Sequence, residues 1–207
     1  MMLDTPHNKQ GKMPQINTRD YIVIATITAI EKYGLQHITT RLIADEAGVN
    51  NAALHYYYGT KENLVDQALD LSRQRIMEDT EAILSSNEDY SDRLKTLFLY
   101  LCDGVNKYPN LIRAHIIGPM IEGNPDGQFL EMLDAWLNRT TAEFEVNLSD
   151  DAHQRLRMAF QSAVSTLLFA GLIPARQGVT TSVNLHNETE RDALIQMLVD
   201  TVVRQLG

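Results

Sequence analysis

A single cysteine, Cys102, stands among 207 residues, so no internal disulfide can form and zinc sites that need two thiolates are excluded. Without a disulfide framework the expected compartment is the reducing cytoplasm. Six prolines and eleven glycines are too few for a collagen-like or linker-dominated chain. No apolar run approaches the roughly 20 residues of a membrane span, and the first residues have no apolar leader core, so neither a span nor a secretory signal is expected. What is there is a chain 44% apolar and 22% charged, able to bury a core and unlike a disordered segment. Its length fits one or two domains.

The net charge of -9 is unevenly placed. Residues 1–61 carry six Lys/Arg (Lys9, Lys12, Arg19, Lys32, Arg41, Lys61) against five Asp/Glu, whereas residues 62–207 carry twelve against twenty-two. The acidity belongs to the later part, which leaves the first part free to face phosphates without demanding that it does. An acidic body is equally what solubility requires.

Helical punctuation runs through the chain. Asn17 followed by Asp20 is an N-terminal capping pattern, Ile22, Ala25, Ala29 and Tyr33 recur at helical spacing, and Gly34 is a stop. A second helix starts at Thr39 or Thr40 and stops at Gly48, Asn50 caps a third, and Thr60 caps a fourth running toward Leu84. Further helices are expected over 91–107, 110–122, 126–147, 150–171 and 188–206, with Gly178–Asn184 as a loop. Residues 1–16 show no period and read as a mobile arm, whose Lys9 and Lys12 are either solvated or set along a minor groove. Strand patterns are nearly absent. The reading is all-α, with about nine helices.

The spacing of Ala44 and Gly48 carries the functional signal. A helix-turn-helix needs a small residue where its helices cross and a glycine at the sharp turn between them. Ile43, Ala47, Val49, Leu54 and Tyr57 then fall at inward positions, leaving Asn50, Asn51, Ala52, Ala53, His55 and Tyr56 toward a DNA groove. Asparagine pairs with adenine and alanine packs on a thymine methyl, but this helix has no Lys or Arg to read guanine. Arg41, on the preceding helix, is the residue placed to supply a cation to a base.

Thr39-Thr40, Ile43-Ala44, Ala47-Gly48-Val49, Leu54-His55-Tyr56-Tyr57-Tyr58 and Thr60-Lys61-Glu62-Asn63-Leu64 lie in one stretch, Ile38–Leu64. That stretch resembles the DNA-binding domain of the TetR family of transcriptional regulators (TetR/AcrR type), and the likeness extends over roughly residues 17–70. The resemblance implies a flexible arm over 1–16, a three-helix DNA-binding domain over 17–61 with its helix-turn-helix at about 39–58, and an effector-binding and dimerisation domain over 62–207. It implies that Thr40, Tyr56, Tyr57 and Lys61 hold DNA phosphates and that Tyr58 takes the place of a buried Phe. His55 departs from the family pattern, which most often has a phosphate-touching Tyr there. A histidine contact would be favoured when protonated.

The same resemblance implies a small-molecule effector in the body, with Leu97, Leu101, Cys102, Arg113, His115, Ile116, Met120, Phe129, Leu133 and Trp136 as candidate lining, each more simply read as plain core. It implies a homodimer through the last two helices, where Met158, Ser162, Thr166, Leu194, Leu198 and Val202 form broad or small-residue faces. The expected function is a transcriptional regulator, most simply a repressor of a palindromic double-stranded operator. The alternative is a helical ligand-binding or adaptor protein that has lost DNA binding. No His, Cys or Ser stands in a metal or nucleophile spacing, so neither catalysis, cofactor nor metal is expected.

Overall fold

The computed structural model describes residues 17–117, 123, 127–143, 148–173 and 183–206. Among these are nine helices: α1 (Thr18–Tyr33), α2 (Thr40–Ala47), α3 (Asn51–Tyr58), α4 (Lys61–Leu84), α5 (Tyr90–Lys107), α6 (Pro109–Ile117), α7 (Gln128–Ala142), α8 (Asp150–Leu172) and α9 (Glu188–Val203). The described residues show no strand, and no described helix is long and apolar enough to cross a membrane. The chain divides into two compact units, one of residues up to Asp79 with Asn110–Gly123, the other of Thr80–Pro109 with residues from 124 onward.

In the first unit the expected caps set the helix starts. Asn17 Oδ1 accepts from Asp20 N at 2.9 Å, Thr39 Oγ1 from Leu42 N at 3.3 Å, Asn50 Oδ1 from Ala53 N at 2.9 Å and Thr60 Oγ1 from Asn63 N at 3.1 Å. Thr39 is thus the cap of α2, and Thr40 its first residue. Side-chain caps of this kind satisfy amides that the first helical turn leaves without partners. Ile22, Ile27, Ile30, Ile38, Ile43, Leu54, Leu64 and Leu111 are buried together with the small Ala29 and Ala68. Helix α6 belongs to this unit and is fastened to α1: Glu31 accepts from the amides of Asn110 and Leu111, each at 3.0 Å, and so caps α6 from outside its own sequence.

The second unit packs α5, α7, α8 and α9 around Leu94, Phe98, Trp136, Phe160, Leu167 and Ile195. Trp136 meets Phe160 edge-on at 6.2 Å and donates from Nε1 to Thr80 Oγ1 at 2.9 Å, so its polar edge is satisfied inside the core. Glu143 accepts from both Arg93 and Arg139, and Arg139 also grips Glu81.

Two expected helix ends shift, and a third lies outside the described residues. Helix α7 spans Gln128–Ala142 rather than 126–147, with Glu143 in a turn and 144–147 outside the described residues. The described part of α6 runs from Pro109 to Ile117, while 118–122 lie outside it. Helix α9 ends at Val203, not 206, because Gln205 N and Leu206 N bond three residues back and tighten the last turn. Residues 1–16 and most of the expected loop at 178–184 also fall outside the described residues.

Candidate nucleic-acid interface

The turn between α2 and α3 is built on Gly48, whose φ of 63° and ψ of 27° lie in the left-handed region. Its amide bonds to Asp45 O, and Val49 N reaches Ala44 O at 3.0 Å, closing the end of α2. Ala44 is buried at the crossing. This is the arrangement anticipated from the four-residue spacing of Ala44 and Gly48.

Helix α3 is fixed from one side only. Leu54 and Tyr58, four residues apart, are its buried positions. Tyr58 donates its hydroxyl to Arg19 O at 2.5 Å, and the Arg19 guanidinium lies 5.7 Å from its ring centre. Burial raises the Tyr58 phenol above its ordinary value. Tyr57, expected inward, is 39% exposed, while Tyr58 is 3% exposed. The helical period explains the correction: a residue four positions beyond Leu54 shares its face, whereas Tyr57 flanks it. Val49, also expected inward, is half-buried.

The opposite face presents Asn51, Ala52, His55 and Tyr56, all exposed, with Tyr56 at 83%. Ala53 is half-buried. Asn50 is exposed, but its Oδ1 is committed to the α3 cap. His55 Nδ1 lies 3.0 Å from Gly59 O, and Gly59 N in turn bonds to His55 O, so His55 helps close the C-terminal end of α3. Tyr57 stands edge-on to Tyr56 at 5.0 Å. Thr40 is half-buried and Arg41 exposed on α2. Lys61, in the first turn of α4, extends its ammonium to Ile38 O at 3.5 Å.

The candidate effector residues divide between the units. Arg113, His115 and Ile116 are in the first; Leu101, Cys102, Phe129, Leu133 and Trp136, together with Leu97, are in the second. Met120 lies outside the described residues. Leu97, Cys102, His115 and Trp136 are fully packed. Burial pushes the Cys102 thiol up to about 11, keeping it protonated at neutral pH. His115 is held between Ser72, 3.2 Å from Nε2, and Arg73, 3.5 Å from Nδ1. Burial first, and the Arg73 charge second, lower its pKa to about 3. Arg113 donates to Asn110 Oδ1 at 3.0 Å. Leu101, Ile116, Phe129 and Leu133 are half-buried.

On the last two helices, Met158 and Ser162 are exposed and Thr166 half-buried. Leu194, Leu198 and Val202, expected at a partner interface, are instead buried in their own unit. The apolar stripe on α9 therefore faces inward. Besides Met158, Phe169 (63%) on α8 and Met197 (53%) and Val203 on α9 are exposed apolar side chains, at positions that the apolar spacing did not single out. Each stands one to three positions from a buried residue on its helix, and periodicity alone marks two apolar faces without saying which is covered.

Comparison with known proteins places this geometry. Residues 22–68 match the family described as bacterial regulatory proteins, tetR family. The nucleoid occlusion factor SlmA of Shewanella woodyi is 25% identical over 136 residues, 63% of this chain and 68% of that protein. The HTH-type transcriptional regulator BetI of Vibrio vulnificus is 35% identical over 74 residues, 35% of this chain and 37% of its own length. Several other curated relatives are matched over about half of their length, 51%. A crystal structure of a tetR-family transcriptional regulator from Streptomyces coelicolor superposes over 93% of this chain and 82% of that chain, with a TM-score of 0.66 at 16% identity, a likeness of fold. Residues 22–68 thus carry the helix-turn-helix region of the tetR family of bacterial regulatory proteins, and the chain shares its fold with such a regulator.

Proposed function

We propose that the protein is a DNA-binding transcriptional repressor that grips a palindromic operator as a homodimer and is released by a small-molecule effector bound in the body. The observation that carries this reading is the α3 face: Asn51, Ala52, His55 and Tyr56 project from a short helix held down by Leu54 and Tyr58. A helix anchored on one side and polar on the other is what major-groove entry requires. Asn51 and Ala52 then read base edges, since the Asn50 carbonyl oxygen already caps the helix. Thr40, Tyr56, Tyr57 and Lys61 bind phosphates, with Lys61 aided by the amides at the start of α4. Arg41, exposed on α2, supplies a cation to a base from the neighbouring helix.

The division of labour follows residues 17–61 for DNA and 62–207 for effector and partner. Exposed Met158, Phe169, Met197 and Val203 supply an apolar surface for a second copy of the chain through α8 and α9. Helix α4 begins at Lys61, beside the DNA-facing residues, and continues to Leu84 in the second unit, so it is the covalent route from body to reading helix. An effector releases DNA only by binding the non-DNA dimer state more tightly than the DNA-bound one.

Operator binding measured with and without candidate effectors tests release; an effector that binds the body and leaves operator affinity unchanged contradicts it. The competing reading, a helical adaptor without DNA binding, draws on the absence of Lys and Arg from α3. A steep fall of DNA affinity with salt excludes the adaptor, which has no phosphate contacts to lose.

A further inference from the structure

The His55 ring is held in one tautomer. Its Nδ1 lies 3.0 Å from Gly59 O, and a main-chain carbonyl only accepts hydrogen bonds, so Nδ1 carries the hydrogen. In the neutral ring the other nitrogen, Nε2, is then a bare lone pair. It can accept but has nothing to give to a phosphate oxygen. Protonation changes this without disturbing the Gly59 bond: Nε2 gains a hydrogen and the ring a positive charge. His55 is exposed and shares its face with Asn51 and Ala52, four and three residues earlier on α3.

The surroundings leave this chemistry to solvent and DNA. Helix α2, packed on α3, brings Arg41, Asp45 and Glu46, and Glu46 is paired with Lys32 at 3.2 Å. Helix α1, reached by Tyr58, brings Arg19 and Asp20, and α4 follows with Lys61 and Glu62. On α3 itself Tyr56 and Tyr57 adjoin. Among the described residues the hydrogen-bond partner of the imidazole is Gly59 O.

We propose that His55 is a proton-gated phosphate ligand, silent toward DNA when neutral and a charged donor from Nε2 when protonated. This rests on the reading of α3 as the DNA-contacting helix. Each subunit that docks then takes up a proton from solvent as its contact forms, and DNA binding strengthens as pH falls through the range in which histidine charges.

The experiment uses the full chain and a duplex obtained by selection from random DNA, or a random 30-base-pair duplex if none is enriched. Affinity is measured by fluorescence anisotropy at pH 8 and pH 6 over a series of salt concentrations. The expected result is an affinity gain of about tenfold per subunit on acidification, the scale of one hydrogen bond to a charged group. The slope of log affinity against log salt should steepen by about 0.9 per subunit, the signature of one added phosphate contact. His55→Gln keeps a neutral donor and should lose both the pH response and the slope change. His37→Gln, at the exposed histidine of the α1–α2 turn, should keep both. His55→Tyr, with an uncharged hydroxyl, should bind alike at the two pH values. Salt slopes that coincide at pH 8 and pH 6, or a pH response that survives His55→Gln, overturn the proposal while DNA binding stands. Absence of DNA binding at both pH values overturns the DNA-binding reading along with it.

Discussion

At Gly48 the backbone sits at φ 63°, and a Cβ placed there would meet nothing within 4 Å. Substitution is therefore a test of backbone conformation alone. Gly48→Ala should cost roughly 1–2 kcal/mol, the left-handed penalty for a residue with a Cβ, and thermal denaturation should show it. Gly48→Asn should cost less, because asparagine tolerates that region. This position was readable from sequence because a helix-turn-helix needs both its glycine and the small residue four before it. His115 was not readable in the same way. In sequence it is a lone histidine on an apolar helix, whereas in the fold it bridges Ser72 and Arg73 of α4. Arg73 only donates, so Nδ1 accepts and Nε2–H is given to Ser72. The pKa near 3 in the folded chain lies below that of an unfolded histidine, about 6.5. The unfolded state therefore takes up a proton that the folded state refuses. Stability from this site is complete above about pH 6.5 and falls below it, by up to about 1.4 kcal/mol per pH unit down toward pH 3. Denaturant titrations of the wild type and His115→Gln at pH 7 and pH 5 should show a smaller acid loss in the variant. Equal acid loss in both would remove His115 from the account.

Among the elements, the caps of the first four helices were legible because one residue decides each: Asn17, Thr39, Asn50 and Thr60 each start a helix through their own side chain. The cap on α6 was hidden, because its acceptor, Glu31, comes from α1, far away in sequence. Glu31→Ala should loosen that attachment by about 1 kcal/mol, seen as faster amide exchange in α6. The approach of α8 to α5 was equally hidden. Gly171 lies so close that an added Cβ would overlap Val105 Cγ1. Gly171→Ala should destabilise by roughly 1–3 kcal/mol through overpacking. The double variant with Val105→Ala should recover part of that loss, and strict additivity of the two changes would contradict the contact. On α9, sequence periodicity identifies an apolar stripe, but burial of Leu194, Leu198 and Val202 shows that this stripe belongs to the chain's own core. The second, weaker face, with Met197 and Val203, is exposed, and it is the face the proposed dimer would use.

For the whole molecule, residues 1–61, which hold the proposed DNA-binding helices, are near neutral while the remainder is strongly acidic, within a net charge of -9. Attraction to DNA must then come from a few local contacts rather than from the overall field, and their loss should be visible one at a time. Lys61→Ala should weaken binding to all duplexes alike and lower the salt slope by about 1 per subunit, whereas Asn51→Ala should flatten discrimination between sequences. Met197→Asp with Phe169→Asp should turn a dimer into a monomer in sedimentation velocity without unfolding it, since both side chains are exposed. The fold class and the helix-turn-helix of α2 and α3 were legible because they rest on local spacing. Which of two apolar surfaces on a helix finds cover was not legible, because that depends on packing in three dimensions. The measurement that tests the central claim most directly is selection of bound sequences from random duplex DNA by the purified protein at moderate salt. The account predicts enrichment of a palindrome with half-sites about one helical turn, roughly 34–36 Å, apart. Failure of the folded protein to enrich any sequence would contradict it.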